Sequence, residues 1–169
     1  MFGRVRRLLQ RIRLARKRKA WLKSGHIDIA DSARIFPETT ISAAKGYVSI
    51  GEGSCIRGSL EVQRAGGRIV IGKNCYVGDH TRIWAAESII IGDNVLIAHN
   101  VNIFDNNTHP LDYLERREDF DCIVNRGRFE KFSTLTSAPI EIANDSWIGC
   151  NSIILKGVKI GISTTGGAQ

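Results

Sequence analysis

Aliphatic residues recur every six positions along most of this chain, and they come in threes. Ile29, Ile35 and Ile41 form one block; Ile50, Ile56 and Val62 a second; Ile71, Val77 and Ile83 a third; Ile91, Ile97 and Ile103 a fourth. Ile142, Ile148, Ile154 and Ile160 resume the pattern later, and each of the first three blocks is followed by a slip of two or three residues. Four residues after the beat stands a small residue: Ala33, Thr39, Ser54, Cys75, Thr81, Val95, Val101, Ser146, Ser152 and Val158. A helix of period 3.6 cannot produce this spacing, and a plain strand of period two gives no reason for a slip after every third beat. A coil of three short strands per turn does. Each beat then points into a triangular prism, the small residue fits beside a corner, and a glycine following the beat (Gly51, Gly72, Gly78, Gly92, Gly149, Gly161) permits the turn. Stacked coils give continuous internal ladders. At about 1.5–3 kcal/mol per buried aliphatic side chain, these ladders are enough to drive folding. Cys75 lies on a small inward position and reads as core filler.

One interruption breaks the pattern. The 38 residues between Ile103 and Ile142 far exceed a corner. They begin with DNNTHPLDY and include DYLERREDFD and NRGRFEKF, polar with interleaved aromatics. A long excursion from a compact scaffold commonly carries function, and this one is expected to project from the prism and cover a neighbour. His109, before Pro110, is its conspicuous residue. Taken alone, it fits a loop histidine in a turn as well as a catalytic base.

Charge divides the chain unevenly. Residues 1–25 hold ten of its 24 Lys and Arg and no acid, leaving 14 basic against 17 acidic side chains, a net of −3, in the remainder. The body therefore lacks the basic face that nucleic-acid binding needs, and no nucleic-acid partner is expected. Phe2, Val5, Leu8, Leu9, Ile12 and Ala15 recur at helical spacing between the arginines, which reads as a basic amphipathic helix. It suits an anionic membrane surface, or else packs on the base of the prism. The basic start is followed by no apolar core of a signal peptide, so a cytoplasmic location is expected. Cys55, Cys75, Cys122 and Cys150 show no CxxC spacing and read as free thiols.

Three segments, IGKNCYVGDHTRIWA, IGDNVLIAHNVNIFDNNTHPLD and APIEIANDSWIGCNSIILKGVKIG, resemble the hexapeptide-repeat acyltransferases. Within that family the chain is most similar to the bacterial O-acetyltransferases of capsule, exopolysaccharide and O-antigen synthesis, related to the maltose and galactoside acetyltransferases. The resemblance covers about residues 27–161. It implies an all-β fold, a left-handed parallel β-helix over 26–161 with an inserted loop 104–141, beside the N-terminal helix of 1–25. It also implies a homotrimer with active sites between subunits, acetyl-CoA as donor and a sugar or lipid-linked glycan as acceptor. His109 falls at the catalytic histidine. Trp147, Gly149, Cys150 and Asn151 fall on the coil lining the pantetheine arm, although Trp147 also suits a trimer contact. The acceptor-binding asparagine of the galactoside enzymes falls at Gly78. The family continues for about another coil; here the next beat falls on Gly166 and 162–169 reads as a short, truncated tail. The alternative this implies is an inactive trimeric β-helix.

Acyl transfer from a thioester to an alcohol requires a proton to leave the hydroxyl as it attacks, and imidazole serves as general base near neutral pH. No nucleophile–histidine motif is visible in the sequence, so direct attack in a ternary complex is expected. Asp105 is the nearest residue expected to fix the tautomer of His109, and backbone N–H groups near Gly149 to meet the oxyanion. Asn107 is assigned to the acceptor, and Lys156 either meets CoA phosphates or is a solvated lysine. His80 and His99 lie outside the prism near one another and read as polar surface residues near a CoA or sugar groove, assigned to the substrate. With His109 they also resemble the zinc site of the γ-class carbonic anhydrases, but that family's His-x4-His pair is missing and no metal is expected.

Overall fold

The computed structural model describes residues 2–43, 46–127 and 134–166. Six coils of parallel strand stack into a left-handed three-sided prism. The first sheet contains β1 (Ile27–Ile29), β4 (Tyr47–Ile50), β7 (Arg68–Ile71), β10 (Ser88–Ile91), β13 (Ile140–Ile142) and β16 (Lys159–Ile160). The second contains β2 (Arg34–Ile35), β5 (Cys55–Ile56), β8 (Tyr76–Val77), β11 (Leu96–Ile97), β14 (Trp147–Ile148) and β17 (Thr165–Gly166). The third contains β3 (Thr40–Ser42), β6 (Ser59–Val62), β9 (Arg82–Ala85), β12 (Asn102–Phe104) and β15 (Ile153–Leu155). The six-residue beat thus maps onto the three faces, and Gly166 lies in a strand paired with Ile148.

Ladder register follows the beat almost throughout: Ile29 pairs with Ile50 and Ile50 with Ile71, and Ile97 lies between Val77 and Ile148. One assignment needs correction. Leu60, not Val62, is the second coil's rung between Ile41 and Ile83, while Val62 pairs with Ala85. The corner between Ile56 and Leu60 is two residues shorter than its equivalents. Gly58 makes this possible, since a Cβ there would overlap the Thr81 carbonyl oxygen. Strand parity keeps both Leu60 and Val62 inside, each essentially fully buried.

The small inward residues serve both packing and polarity. Ser54 Oγ donates to Gly72 O and accepts from Cys75 N–H, and Thr81 Oγ1 donates to Ala98 O and accepts from Val101 N–H. These hydroxyls satisfy backbone groups that the corners take out of the ladder. Cys75 is buried as expected; its Sγ lies 3.0 Å from Gly92 O, and burial pushes its thiol pKa up. Corners repeat a single left-handed residue per turn: Asn74, Asn94 and Asp145 between the first and second sheets, and His80, Asn100 and Asn151 between the second and third, all with φ of 54–61°. Asn and Asp tolerate this conformation best among non-glycine residues.

The expected N-terminal helix is α1 (Phe2–Lys23), and part of it caps the prism. Leu14 and Trp21 pack against the core. Arg18 donates to Ala33 O at 3.1 Å and Ala30 O at 2.9 Å, covering carbonyls of the first coil. Val5, Leu8, Leu9 and Ile12, nearer the N-terminus, stay exposed. No helix among the described residues is long and apolar enough to cross a membrane.

Candidate active site

The insertion leaves the prism at Phe104, at the corner between the third and first sheets, and contains α2 (Tyr113–Val124). Asp112 caps this helix by accepting from Leu114 N–H at 2.9 Å and Glu115 N–H at 3.0 Å. Asp119 and Cys122 are the buried residues of α2. Thr134 draws the returning limb against the outgoing one. Its Oγ1 accepts from Leu111 N–H and donates to Glu115 Oε2 at 2.6 Å, while Arg116 donates to the carbonyls of Pro110 and Leu111. Of the NRGRFEKF segment, residues 128–132 lie outside the described residues.

These contacts hold His109 in place. Thr108 before it adopts φ 60°, and its N–H is fixed by Asn106 Oδ1 at 2.8 Å. His109 Nδ1 lies 2.7 Å from Asp119 Oδ2; the imidazole is 58% exposed and the carboxylate side chain 8%. An ionised carboxylate only accepts, so Nδ1 carries the proton and Nε2 keeps a lone pair facing outward. The partner expected at Asp105 is therefore Asp119. Asp105 is fully buried and otherwise occupied: it accepts from Ala86 N–H (2.7 Å), Glu87 N–H (2.8 Å), Ser88 N–H (2.7 Å) and Asn106 Nδ2 (3.1 Å). It ties one coil's corner to the next and touches no imidazole. The sequence does carry a signal for Asp119. Asp112 and Glu115 have the D-x-x-E spacing of a helix start, which places Asp119 two turns along.

The other expected site residues divide between two edges of the third sheet. Asn107 Nδ2 donates to Thr136 Oγ1, and Lys156 Nζ reaches the same oxygen at 2.5 Å, so both stand at the His109 corner. His80, His99, Cys150 and Asn151 lie at the opposite corner, between the second and third sheets, with Gly149 leading into it and Trp147 exposed on the second sheet. The third sheet's strands of up to four residues separate the two corners by roughly 10 Å. His80 and His99 share a corner but not a column: His80 aligns with Asn100 and Asn151, one step along from Asp79 and His99, and sits 3.9 Å from Asp79 Oδ2. No group of three His, Cys, Asp or Glu among the described residues could hold a metal ion.

Two further expectations change with the geometry. Gly149 N–H donates to Gly166 O at 2.6 Å and so cannot also meet an oxyanion, whereas Cys150 N–H has no hydrogen-bond acceptor among the described residues. Gly78, where an acceptor asparagine would fall, tolerates no side chain: a Cβ would come within 2.6 Å of the Ala98 carbonyl carbon.

No protein-family model matches the chain. Over 103 residues it is 34% identical to the galactoside O-acetyltransferase of Escherichia coli (strain K12), a match covering 61% of this chain and 43% of that relative's length. Among solved structures, AntD, an N-acyltransferase from Bacillus cereus in complex with dTDP and 3-hydroxybutyryl-CoA, superposes on 89% of this chain and 75% of its own, with a TM-score of 0.66 and 18% identity. The polySia-specific acetyltransferase NeuO superposes on 84% of this chain and 64% of its own, with a TM-score of 0.58 and 19% identity. At those identities the two structures attest the shared fold.

Proposed function

We propose that this chain, a hexapeptide-repeat β-helix similar to the acetyltransferases built on that fold, is an acetyl-CoA-dependent O-acetyltransferase that acylates a sugar hydroxyl of a surface polysaccharide or its lipid-linked precursor. The observation that carries this reading is the His109–Asp119 pair, with its buried carboxylate and outward imidazole. Nε2 takes the proton of the acceptor hydroxyl as the oxygen attacks the thioester carbonyl. The imidazolium, held by Asp119, then returns the proton to the departing CoA thiolate. The galactoside acceptor in the name of the E. coli relative supports a sugar substrate. Asn107 faces the acceptor beside His109, with His80 and His99 on the facing edge. The test is CoA release followed by a thiol reagent across a panel of sugars. Sustained turnover that depends on the acceptor supports the reading; no turnover, or sustained turnover that is the same without acceptor, removes it.

Asp119→Asn is expected to lower kcat by about 10–100-fold, since the amide no longer holds Nδ1–H in the productive tautomer. KM for acetyl-CoA should change little, because Asp119 reaches the donor only through His109. An equal loss in KM and an unchanged kcat would show that Asp119 is only structural.

A donor lying along Trp147, Gly149, Cys150 and Asn151 stands at the far edge of the third sheet from His109 of the same chain. A homotrimer removes the discrepancy by setting the His109 corner of one copy against the donor corner of the next, a head-to-tail contact that closes a ring. Lys156 then meets the phosphates of a donor bound mainly to the neighbour.

The exposed half of α1 suits the cytoplasmic face of an anionic membrane, with Leu8 and Leu9 entering the interface and each basic residue near the surface adding about 1 kcal/mol. Leu8→Glu with Leu9→Glu should abolish co-sedimentation with phosphatidylglycerol vesicles while leaving the Arg18 and Trp21 cap untouched. Undiminished co-sedimentation would rule out α1 as the anchor.

A further inference from the structure

The corner between the second and third sheets stacks a second set of reactive groups. Asp79, His99 and Cys150 occupy the same outward position, two residues after Val77, Ile97 and Ile148, on three successive coils. The backbone holds this register: Asn100 N–H donates to Asp79 O at 3.1 Å, and Asn151 N–H to His99 O at 3.3 Å. Each group therefore stands one coil, about 4.8 Å, from the next. His99 and Cys150 are exposed and Asp79 is half-buried. A column spanning two coil spacings cannot converge on a single ion, which leaves pairwise chemistry between neighbours. Beside the thiol, the Cys150 N–H has no acceptor among the described residues.

We infer that Cys150 is an acyl-accepting nucleophile, taking the acetyl group from acetyl-CoA by thioester exchange with His99 as its base. This rests on the proposed function and deepens it by giving the donor edge its own chemistry. His99 takes the Cys150 thiol proton, and Sγ attacks the thioester carbonyl carbon. The Cys150 N–H donates to the oxyanion. The bond from carbonyl carbon to CoA sulfur breaks, and His99 returns the proton to the CoA thiolate. One thioester is lost and one gained, so the step needs nothing beyond the acyl-CoA. With acceptor present, direct transfer at His109 competes; without it, the acetyl group passes to Cys150.

The test is peptide mass mapping of the full-length chain after incubation with acetyl-CoA and no acceptor. One hydroxylamine-labile acetyl group is expected on the Cys150 peptide. Cys55, half-exposed with Arg34 and Tyr76 as its strand neighbours and no histidine in its column, is the internal control and should stay unlabelled. His99→Ala should slow labelling by about 100-fold or more, and Cys150→Ala should remove it. Labelling of Cys55 and Cys150 at equal rates, or an unslowed His99→Ala variant, would mean ordinary chemical acetylation and overturn the inference. An unlabelled Cys150 in a protein that still releases CoA with acceptor would overturn the inference alone, leaving the proposed function intact. No label and no acceptor-dependent release would overturn both.

Discussion

Replacing His109 by alanine is expected to lower acetyl transfer by about 10²–10⁴-fold, the usual contribution of a positioned general base. The imidazole is more than half exposed, and its hydrogen bond among the described residues is to Asp119. The fold of the insertion is held separately, by Thr134, Glu115, Arg116 and the Asp112 cap. The variant should therefore keep its melting temperature to within a few degrees and its affinity for acetyl-CoA. Steady-state rates with one good acceptor, together with a thermal melt, check both halves. Full activity would remove His109 from the mechanism; a collapsed melt would make it a structural residue.

The largest stability effect is expected at Asp105, a residue with no place in the chemistry. Its carboxylate is fully buried and accepts four hydrogen bonds, three from consecutive backbone N–H groups at the Ala86–Ser88 corner. Alanine leaves the Ala86 and Ser88 donors buried without partners, at about 1–3 kcal/mol each. A total of about 3–5 kcal/mol follows, a fall of roughly 10 °C or more in melting temperature for a chain of this size. Asparagine keeps one acceptor oxygen but turns an N–H₂ toward backbone donors, so it should fall between alanine and wild type. Melts compared at equal protein concentration provide the check, since assembly contributes to stability. An Asp105→Ala protein as stable as wild type but inactive would mean that Asp105 belongs to the active site after all.

The contrast between Asp105 and Asp119 shows what the sequence made legible. The prism was legible because its signal is covalent spacing: six residues per face, a small residue near each corner, and a slip where a corner lengthens. Even there, Gly58 shortened one corner and moved the second coil's rung from Val62 to Leu60, which strand parity conceals. His109 stood out because it interrupts that repeat. Its partner did not, because pairing depends on how the insertion folds back. Sequence proximity favoured Asp105, four residues away, whereas helix α2 brings Asp119 over ten. Within one copy, His80 and His99 do not stand beside His109, for the same reason. All three lie outside the prism, but a triangular coil has three corners, and spacing alone does not say that His109 leaves from a different one.

With the donor proposed at one corner and His109 at another, assembly is the central claim of the proposal: that His109 of one copy acts on donor held at the Cys150 corner of another. Two variants test it, His109→Ala, which lacks the base, and Cys150→Trp, which fills the exposed donor corner. Each alone should be nearly inactive as a homo-oligomer. Mixed at equal amounts, with subunit exchange confirmed by native mass spectrometry, they should regain a substantial part of wild-type CoA release, because some interfaces then pair an intact His109 with an intact donor corner. Mixed assemblies that form but remain as inactive as either parent would contradict a site shared between copies.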